Sequence, residues 1–360
     1  MRRIMDLAEK YLIKFINNNK MENPLNNFVK RVQAGYNVLY RHAHPLTLQW
    51  NITPKCNLRC KHCYYVENPD IYIGEKSISY ERNMSFIDEI NELNIFHLIL
   101  SGGEALLAEN IFEILKKLKS KNIAIYMHSN GKVIDEEIAQ KLSQIFVPEV
   151  DAIQISLDGL EENQDKTRGK GSFEKAVNAI KLLKKYKVPV CINFTATKQN
   201  MYDAISVYKL ASELGCYKFS IQKIVPSSTE QNYQVPDFEE LLKISCDLID
   251  IENNTTFLEL ATYKIEEFIS RKLAIKYLIK CSKSLNSYLK NSNVSCHKHA
   301  QLFVTFDGEV FPCREAYICP ELSLGNIKES SLSEIWENRH SKEYAFGRGY
   351  FLYISPYGFI

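Results

Sequence analysis

The chain has 360 residues, 45% of them apolar and 24% charged, with a formal net charge of +2. That balance suits one large folded domain plus an appendage and leaves no global field for nucleic acid or an anionic membrane. No secretion signal follows the Arg2-Arg3 pair and no apolar run reaches the roughly 18 residues of a membrane span, so the sequence predicts a cytoplasmic protein whose 10 cysteines serve metal or thiolate chemistry rather than disulfides.

Residues 1–45 read as an N-terminal helical segment, with Ala8, Tyr11, Leu12, Phe15 and Ile16 on one packing stripe. From residue 46 a rhythm begins. Strand-like runs lie at Leu46–Ile52, Phe96–Leu100, Ile123–His128, Ala152–Leu157, Val190–Thr197 and Tyr217–Val225, and amphipathic helical patterns follow near 82–94, 109–121, 135–145, 172–187, 200–214 and 237–250. This alternation predicts an α/β fold of parallel strands with right-handed crossovers. Six units over residues 46–235 would form a partial (β/α)6 TIM-like barrel, open on one side, with its chemistry at the carboxyl ends of the strands. Residues 236–290 read as a helical bridge. Over 291–345 the pattern changes to a β-hairpin turning at Asp307-Gly308, then a short helix through Trp336 opened by the capping box Ser331-Leu332-Ser333-Glu334. Residues 346–360 form an atypical apolar tail.

Cys56, Cys60 and Cys63 follow directly on the first predicted strand. Three thiolates within eight residues on a loop can wrap one small inorganic object, and iron–sulfur clusters are held by such thiolates. No fourth cysteine lies nearby, so one iron of a four-iron cluster would be open to an outside ligand, as reactive metal sites require. A zinc site that enlists His62 and a redox Cys60-x-x-Cys63 pair are the alternatives. The three-residue gap before Cys60 is unusual for zinc ribbons, and the helix-start context of a redox pair is missing.

The loop resembles the CxxxCxxC signature of the radical S-adenosylmethionine (SAM) superfamily, and the resemblance extends over about residues 46–230. Ser101-Gly102-Gly103-Glu104 resembles the family motif that holds the amino group of SAM, with Ala105 where relatives often carry Pro. Its glycines would let backbone approach a ligand, and Glu104 can pair with an ammonium. Ser129-Asn130-Gly131 resembles the turn that ends the third strand in relatives. Ser156-Leu157-Asp158-Gly159 stands where relatives contact the ribose and methionine of SAM, and Arg168 resembles the arginine used on the SAM carboxylate. The resemblance implies a 4Fe-4S cluster on Cys56, Cys60 and Cys63 that chelates SAM. It also implies reductive cleavage to a 5′-deoxyadenosyl radical and an electron donor such as flavodoxin or ferredoxin.

Cys281, Cys296, Cys313 and Cys319 cluster late in the chain, and the spacing from Cys296 through Gly308 to Cys313 resembles the opening of SPASM and Twitch extensions. This implies a second, auxiliary 4Fe-4S cluster on those four cysteines. No cysteine follows Cys319, so the expectation is either a one-cluster, Twitch-like extension or a shortened chain with an incomplete auxiliary site. Cys191, Cys216 and Cys246 read as buried apolar residues. Relatives with such extensions mostly act on peptides or proteins, which implies a peptide or protein substrate. Haem-type or quinone-type cofactor biosynthesis, sulfatase maturation and an inactive iron–sulfur protein are the alternatives. Arg314 stands where the sulfatase-maturing branch places Asp, which weighs against that branch.

Overall fold

A computed structural model describes residues 45, 47–63, 77–224, 301–318 and 320–343, with isolated positions between 235 and 261. Residues 1–44, the tail 346–360, and Cys246, Cys281, Cys296 and Cys319 lie outside the described residues.

Six strands, β1 (Thr47–Asn51), β2 (His97–Ser101), β3 (Ala124–Ser129), β4 (Ala152–Ser156), β5 (Val190–Ala196) and β6 (Lys218–Lys223), pair in parallel and in chain order. Helices α1 (Tyr80–Glu92), α2 (Ile111–Ser120), α3 (Glu136–Ile145), α4 (Glu161–Arg168), α5 (Ser172–Lys185) and α6 (Ala204–Glu213) lie in the crossovers. All six strands fall within a residue or two of their predicted bounds. Helical positions at Glu240, Ile244, Asp247, Leu248 and Ile251 agree with the segment expected near 237–250, with Ile244 and Leu248 in the core.

Each strand obeys its period of two. Leu48 and Trp50, Leu98 and Leu100, Ile125 and Met127, Ile153 and Ile155, Ile192 and Phe194, and Phe219 and Ile221 turn to the helices and form one core with them. The helices supply stripes at i, i+3 and i+4 spacing, such as Phe86, Ile87 and Ile90 on α1 and Ile114, Leu115 and Leu118 on α2. Side-chain oxygens of Ser79 and Asp135 cap α1 and α3. The opposite face of the sheet carries a different set of residues, described below.

The sheet is longer than six strands. A strand β7 (Glu259–Ala261) pairs in parallel with β6, inside the stretch expected to be a helical bridge. Three residues are too few to show a period, and pairing at the sheet edge makes the strand. At the other edge β8 (Gln301–Val304) pairs in parallel with β1, so the C-terminal hairpin is part of the same sheet. Strands β9 (Glu309–Phe311) and β10 (Gly325–Asn326) follow, antiparallel, giving ten strands in the order β10-β9-β8-β1-β2-β3-β4-β5-β6-β7. Gly308 turns the β8–β9 hairpin at φ +95°, where a Cβ would lie 2.5 Å from Asn326 Oδ1. The predicted capping box opens α7 (Leu332–Glu343): the Ser331 amide donates to Glu334 Oε2 at 2.9 Å, and the Glu334 amide donates to Ser331 Oγ at 3.3 Å. Arg82 of α1 holds the extension by donating to the Ile327 carbonyl at 2.6 and 2.8 Å, and Glu89 accepts from the Leu332 amide at 2.8 Å.

Trp50 is fully buried, edge-on to Phe86 with centroids 5.1 Å apart, and its Nε1–H has no hydrogen-bond partner. Trp50→Ala should cost about 3–5 kcal/mol through the cavity it leaves. Trp50→Phe should cost distinctly less, because it also removes an orphaned donor. Urea midpoints of the two variants check the ordering, and equal losses would contradict it.

Candidate active site

The carboxyl ends of β1 to β4 meet at one place. From β1 the chain runs through Thr53, Pro54 and Lys55 into the loop that bears Cys56, Cys60 and Cys63, all reduced thiols. From β2 it runs into Gly102-Gly103-Glu104. The Gly103 amide donates to the Thr53 carbonyl and the Glu104 amide to the Lys55 carbonyl, both at 2.7 Å. A Cβ on Gly103 would sit 2.4 Å from the Lys55 carbonyl oxygen and 2.6 Å from that of Pro54; one on Gly102, itself at φ +149°, would sit 2.5 Å from the Thr53 carbonyl oxygen. The sequence suggests glycines that admit a ligand. In the structure what they admit is the backbone of the cysteine loop.

Glu104 is buried, and burial raises its carboxyl pKa against the pull of its hydrogen-bond donors. Its Oε2 accepts from the Asn130 amide at 2.8 Å. Ser129 and Asn130 end β3, and the Asn130 side chain reaches across to Asn57 Oδ1 at 2.8 Å and to Cys56 Sγ at 3.9 Å. Ser156 ends β4, where its carbonyl accepts from Gln164 Nε2 at 3.3 Å.

Asp158 and Arg168 form a buried pair, with Arg168 Nε 2.5 Å from Asp158 Oδ2. Asp158 is fully buried. Its Oδ1 accepts from the Thr195 amide at 2.8 Å, and His62 Nε2 lies 3.4 Å from its Oδ2. Burial works against its charge, but Arg168 and these neighbours outweigh it and hold its carboxyl below the usual range. Arg168 also places Nη1 3.8 Å from Cys60 Sγ. The residue expected near a ribose therefore lies behind Arg168, and Arg168 lies against the cysteine loop. Helix α4, which delivers Arg168 and was not predicted, docks on the same loop: the Lys61 amide donates to the Thr167 carbonyl at 3.0 Å.

Burial pushes the Cys60 thiol up to about 11 despite Arg168, and raises Cys56 as well. These thiols keep their protons until a cation replaces them. Among the described residues no three His, Cys, Asp or Glu side chains converge on one point as the ligands of a single metal ion would. His62 is spent on the Asp158–Arg168 pair. Cys56 also lines an open cavity of about 520 Å³, bounded by the loop from Cys56 to Arg59, by Lys132 and by Arg168 to Lys170.

The face of β1–β6 turned away from the helices was not read from the sequence, although its signal is there: the alternate positions of strands whose other positions are apolar. It carries Gln49, His97, Tyr126, His128, Gln154, Asn193, Lys218, Ser220 and Gln222 and no carboxylate. Tyr126 Oη donates to Gln154 Oε1, and Gln222 Nε2 donates to Asn193 Oδ1, both at 2.9 Å. His128 stands edge-on to Tyr126 with centroids 5.6 Å apart. Cys313 lies in a small second cluster of apolar residues with Phe303, Phe311 and Tyr317, at the β1 edge of the sheet. Cys191 and Cys216 are buried, as expected.

Comparison with known proteins agrees with this geometry. The family model described as the radical SAM superfamily matches residues 50–211, and the SPASM iron–sulfur cluster-binding domain matches residues 296–355. The second match begins after Cys281 and runs into the segment set apart above as a tail. An AdoMet-dependent heme synthase from Methanosarcina barkeri is 31% identical over 300 residues, covering 82% of each chain. A cysteine-type anaerobic sulfatase-maturating enzyme from Clostridium perfringens is 28% identical, covering 80% of this chain and 79% of that one. Streptococcus suis SuiB, solved bound to precursor peptide SuiA, shares the fold with a TM-score of 0.66 at 17% identity, covering 89% of this chain and 72% of that one.

Gly103→Ala should leave the core folded but displace the cysteine loop, cutting iron bound after anaerobic reconstitution well below that of the wild type; equal iron content would mean that the close approach is dispensable. Burial also lowers His97 to about 4 and His128 to about 3, with Lys218 and Arg314 adding to the effect. Both imidazoles are therefore neutral when folded and take up protons near 6.5 when unfolded. Their share of stability is complete above pH 6.5 and is lost as pH falls from there toward 4. His128→Gln should flatten that decline in urea midpoints of the protein without its cluster, and an unchanged slope would refute it.

Proposed function

The chain belongs to the radical SAM superfamily and carries a SPASM domain, and from that premise we propose that it is a peptide maturase, a radical SAM oxidoreductase acting on a peptide or protein substrate. Membership brings a 4Fe-4S cluster and SAM, and the SPASM domain brings auxiliary iron–sulfur binding. Bound together, cluster and SAM supply one-electron cleavage of the sulfonium and, through it, hydrogen abstraction from substrate carbon.

In this reading Cys56, Cys60 and Cys63 hold the cluster, and N–H groups of Asn130 and Arg168 near two of the sulfurs favour their thiolate form. Glu104 takes the SAM ammonium, with Ser129, Asn130 and Ser156 around it at the strand ends. Arg168 faces the SAM carboxylate, and Asp158 is a positioning residue that fixes the guanidinium. Gly102 and Gly103 hold the loop at its working distance. Cys296, Cys313 and Cys319, with Cys281 ahead of the matched segment, are the ligands we assign to the auxiliary cluster. No helix among the described residues is long and apolar enough to cross a membrane, and a reducing cytoplasm suits the thiols.

The observation that carries the peptide reading is the amide-rich polar face of the sheet, on which Lys218 is the one charged side chain of β1–β6. The amides of Gln49, Gln154, Asn193 and Gln222 can donate to and accept from peptide groups, whereas the face offers a single cation, Lys218. A tetrapyrrole bearing several carboxylates calls for paired cations instead. A haem-type substrate is nevertheless a second reading, favoured by the 31% identity to the archaeal heme synthase and by the influence of Arg314 on His128.

Anaerobic reconstitution, chemical reduction and SAM should release 5′-deoxyadenosine, and Cys60→Ala should abolish that release. No release from a fully loaded wild type would sink the enzyme reading. Substrate choice is read by mass spectrometry with a peptide encoded beside the gene and with iron coproporphyrin in parallel. A mass change in the peptide alone is expected, whereas a mass change in the porphyrin alone would establish the second reading in its place.

A further inference from the structure

The two faces of the parallel sheet differ in how closely they are covered. On the helix side Leu48, Leu98, Met127, Ile153, Ile192 and Phe219 are fully buried. On the other side His97, Ile99, Tyr126, His128, Ser220 and Gln222 are half-buried. Several polar groups of that open side are already engaged with one another: Tyr126 with Gln154, Gln222 with Asn193, and Asn193 Nδ2 with Thr195 Oγ1 at 3.3 Å. The two histidines are not. Among the described residues neither the His97 nor the His128 ring takes a hydrogen bond, and each stands instead against the Tyr126 ring, with centroids 6.4 and 5.6 Å away. Both rings are uncharged near pH 7, so each offers one N–H donor and one bare nitrogen as acceptor.

The strand register sets their spacing. His128 lies two residues before Asn130, so it sits about 7 Å below the strand end at which Asn130 reaches Cys56. His97 is opposite Ala124, four residues before His128 on β3, so the two rings mark points about 13 Å apart along the strand direction. An extended chain presents an N–H and a C=O on the same edge at every second residue, about every 7 Å. Two such repeats span the distance from His97 to His128, and the line between the rings leads to the strand ends that carry the cysteine loop.

We propose that His97 and His128 bind the peptide substrate by its main chain, holding an extended stretch of about four residues along β2 and β3 with the reacting residue at the His128 end. The inference rests on the peptide reading and deepens it. The rings read backbone groups, so the stretch they hold tolerates changes of side chain and depends on its own N–H groups.

The test uses the reconstituted full chain with SAM and, as probe, the peptide encoded beside the gene, titrated by fluorescence anisotropy. His97→Phe and His128→Phe keep a ring against Tyr126 and remove its nitrogens. Each should weaken peptide binding about three- to ten-fold, the worth of one hydrogen bond, while iron content and SAM affinity stay at wild-type values. His128→Gln, which keeps a donor and an acceptor, should lose much less. N-methylation of the peptide, one residue at a time around the modified residue, should weaken binding to the wild type at alternate positions. The position read by one ring should cost nothing further in the variant that lacks that ring. Wild-type affinity in both Phe variants would overturn the proposal, as would N-methylation that is harmless throughout. Loss of iron or of SAM binding in the variants would overturn it too, by assigning the rings to the cofactors or to the fold. A peptide that is modified, yet bound equally by wild type and variants, removes this inference alone. A peptide that does not bind while iron coproporphyrin does removes the peptide reading and the inference with it.

Discussion

The Thr53 and Lys55 carbonyls accept hydrogen bonds from the Gly103 and Glu104 amides at 2.7 Å, at a separation that no Cβ on residue 103 would permit. Through that contact the cysteine loop is fastened to the end of β2, and β2 is fixed by pairing to β1 on one side and β3 on the other. A loop of three cysteines has no intrinsic shape; its backbone entropy must be offset by contacts at both ends. The first end is this pair of bonds. The second is the Lys61–Thr167 bond together with Arg168, which reaches Cys60 while it is held by Asp158.

The Asp158–Arg168 pair shows why the second tether is rigid. A buried ion pair adds little net stability, but loss of either partner leaves a stranded charge, at a cost of about 3–5 kcal/mol. The arrangement therefore selects one orientation of the guanidinium rather than strengthening the fold at large. Gln164 completes it, accepting from the Asp158 amide at 2.7 Å from within α4.

The sequence was most legible where local pattern and tertiary environment agree. Strands β1 to β6 alternate or run apolar, and each is covered by helices, so their residues announce them. The capping box of α7 and the turn at Gly308 depend on neighbours a few positions away and were equally plain. Helix α4 was not: Glu161–Arg168 is polar almost throughout, with Gln164 and Arg168 its only buried residues. It exists because its ends and its buried polar groups are satisfied by β4 and the cysteine loop, contacts invisible in eight residues of sequence. The parallel pairing of β8 with β1 joins residues some 250 positions apart, which no periodicity records. At the site the cysteines and Glu104 stood out by spacing, whereas the placement of Asp158 behind Arg168 followed from β4, β5 and α4 packing together.

The charges of this molecule are sorted by solvent exposure. On the inner face of the sheet the two imidazoles stay neutral: burial lowers the His97 and His128 pKa values far enough that neither is charged near pH 7, and Lys218 is the one charged side chain of β1–β6 beside them. At the loop, buried Arg168 is matched by buried Asp158. Outside the loop, lysines and Arg59 stand in water, where charge carries little desolvation cost and acts over about 10 Å at 0.1 M salt. An interior with so little charge leaves hydrogen bonds to select and orient a substrate. The cysteines sit on the boundary between these two environments, so the charge on their outer side can change without altering the hydrogen-bonding groups on the inner one.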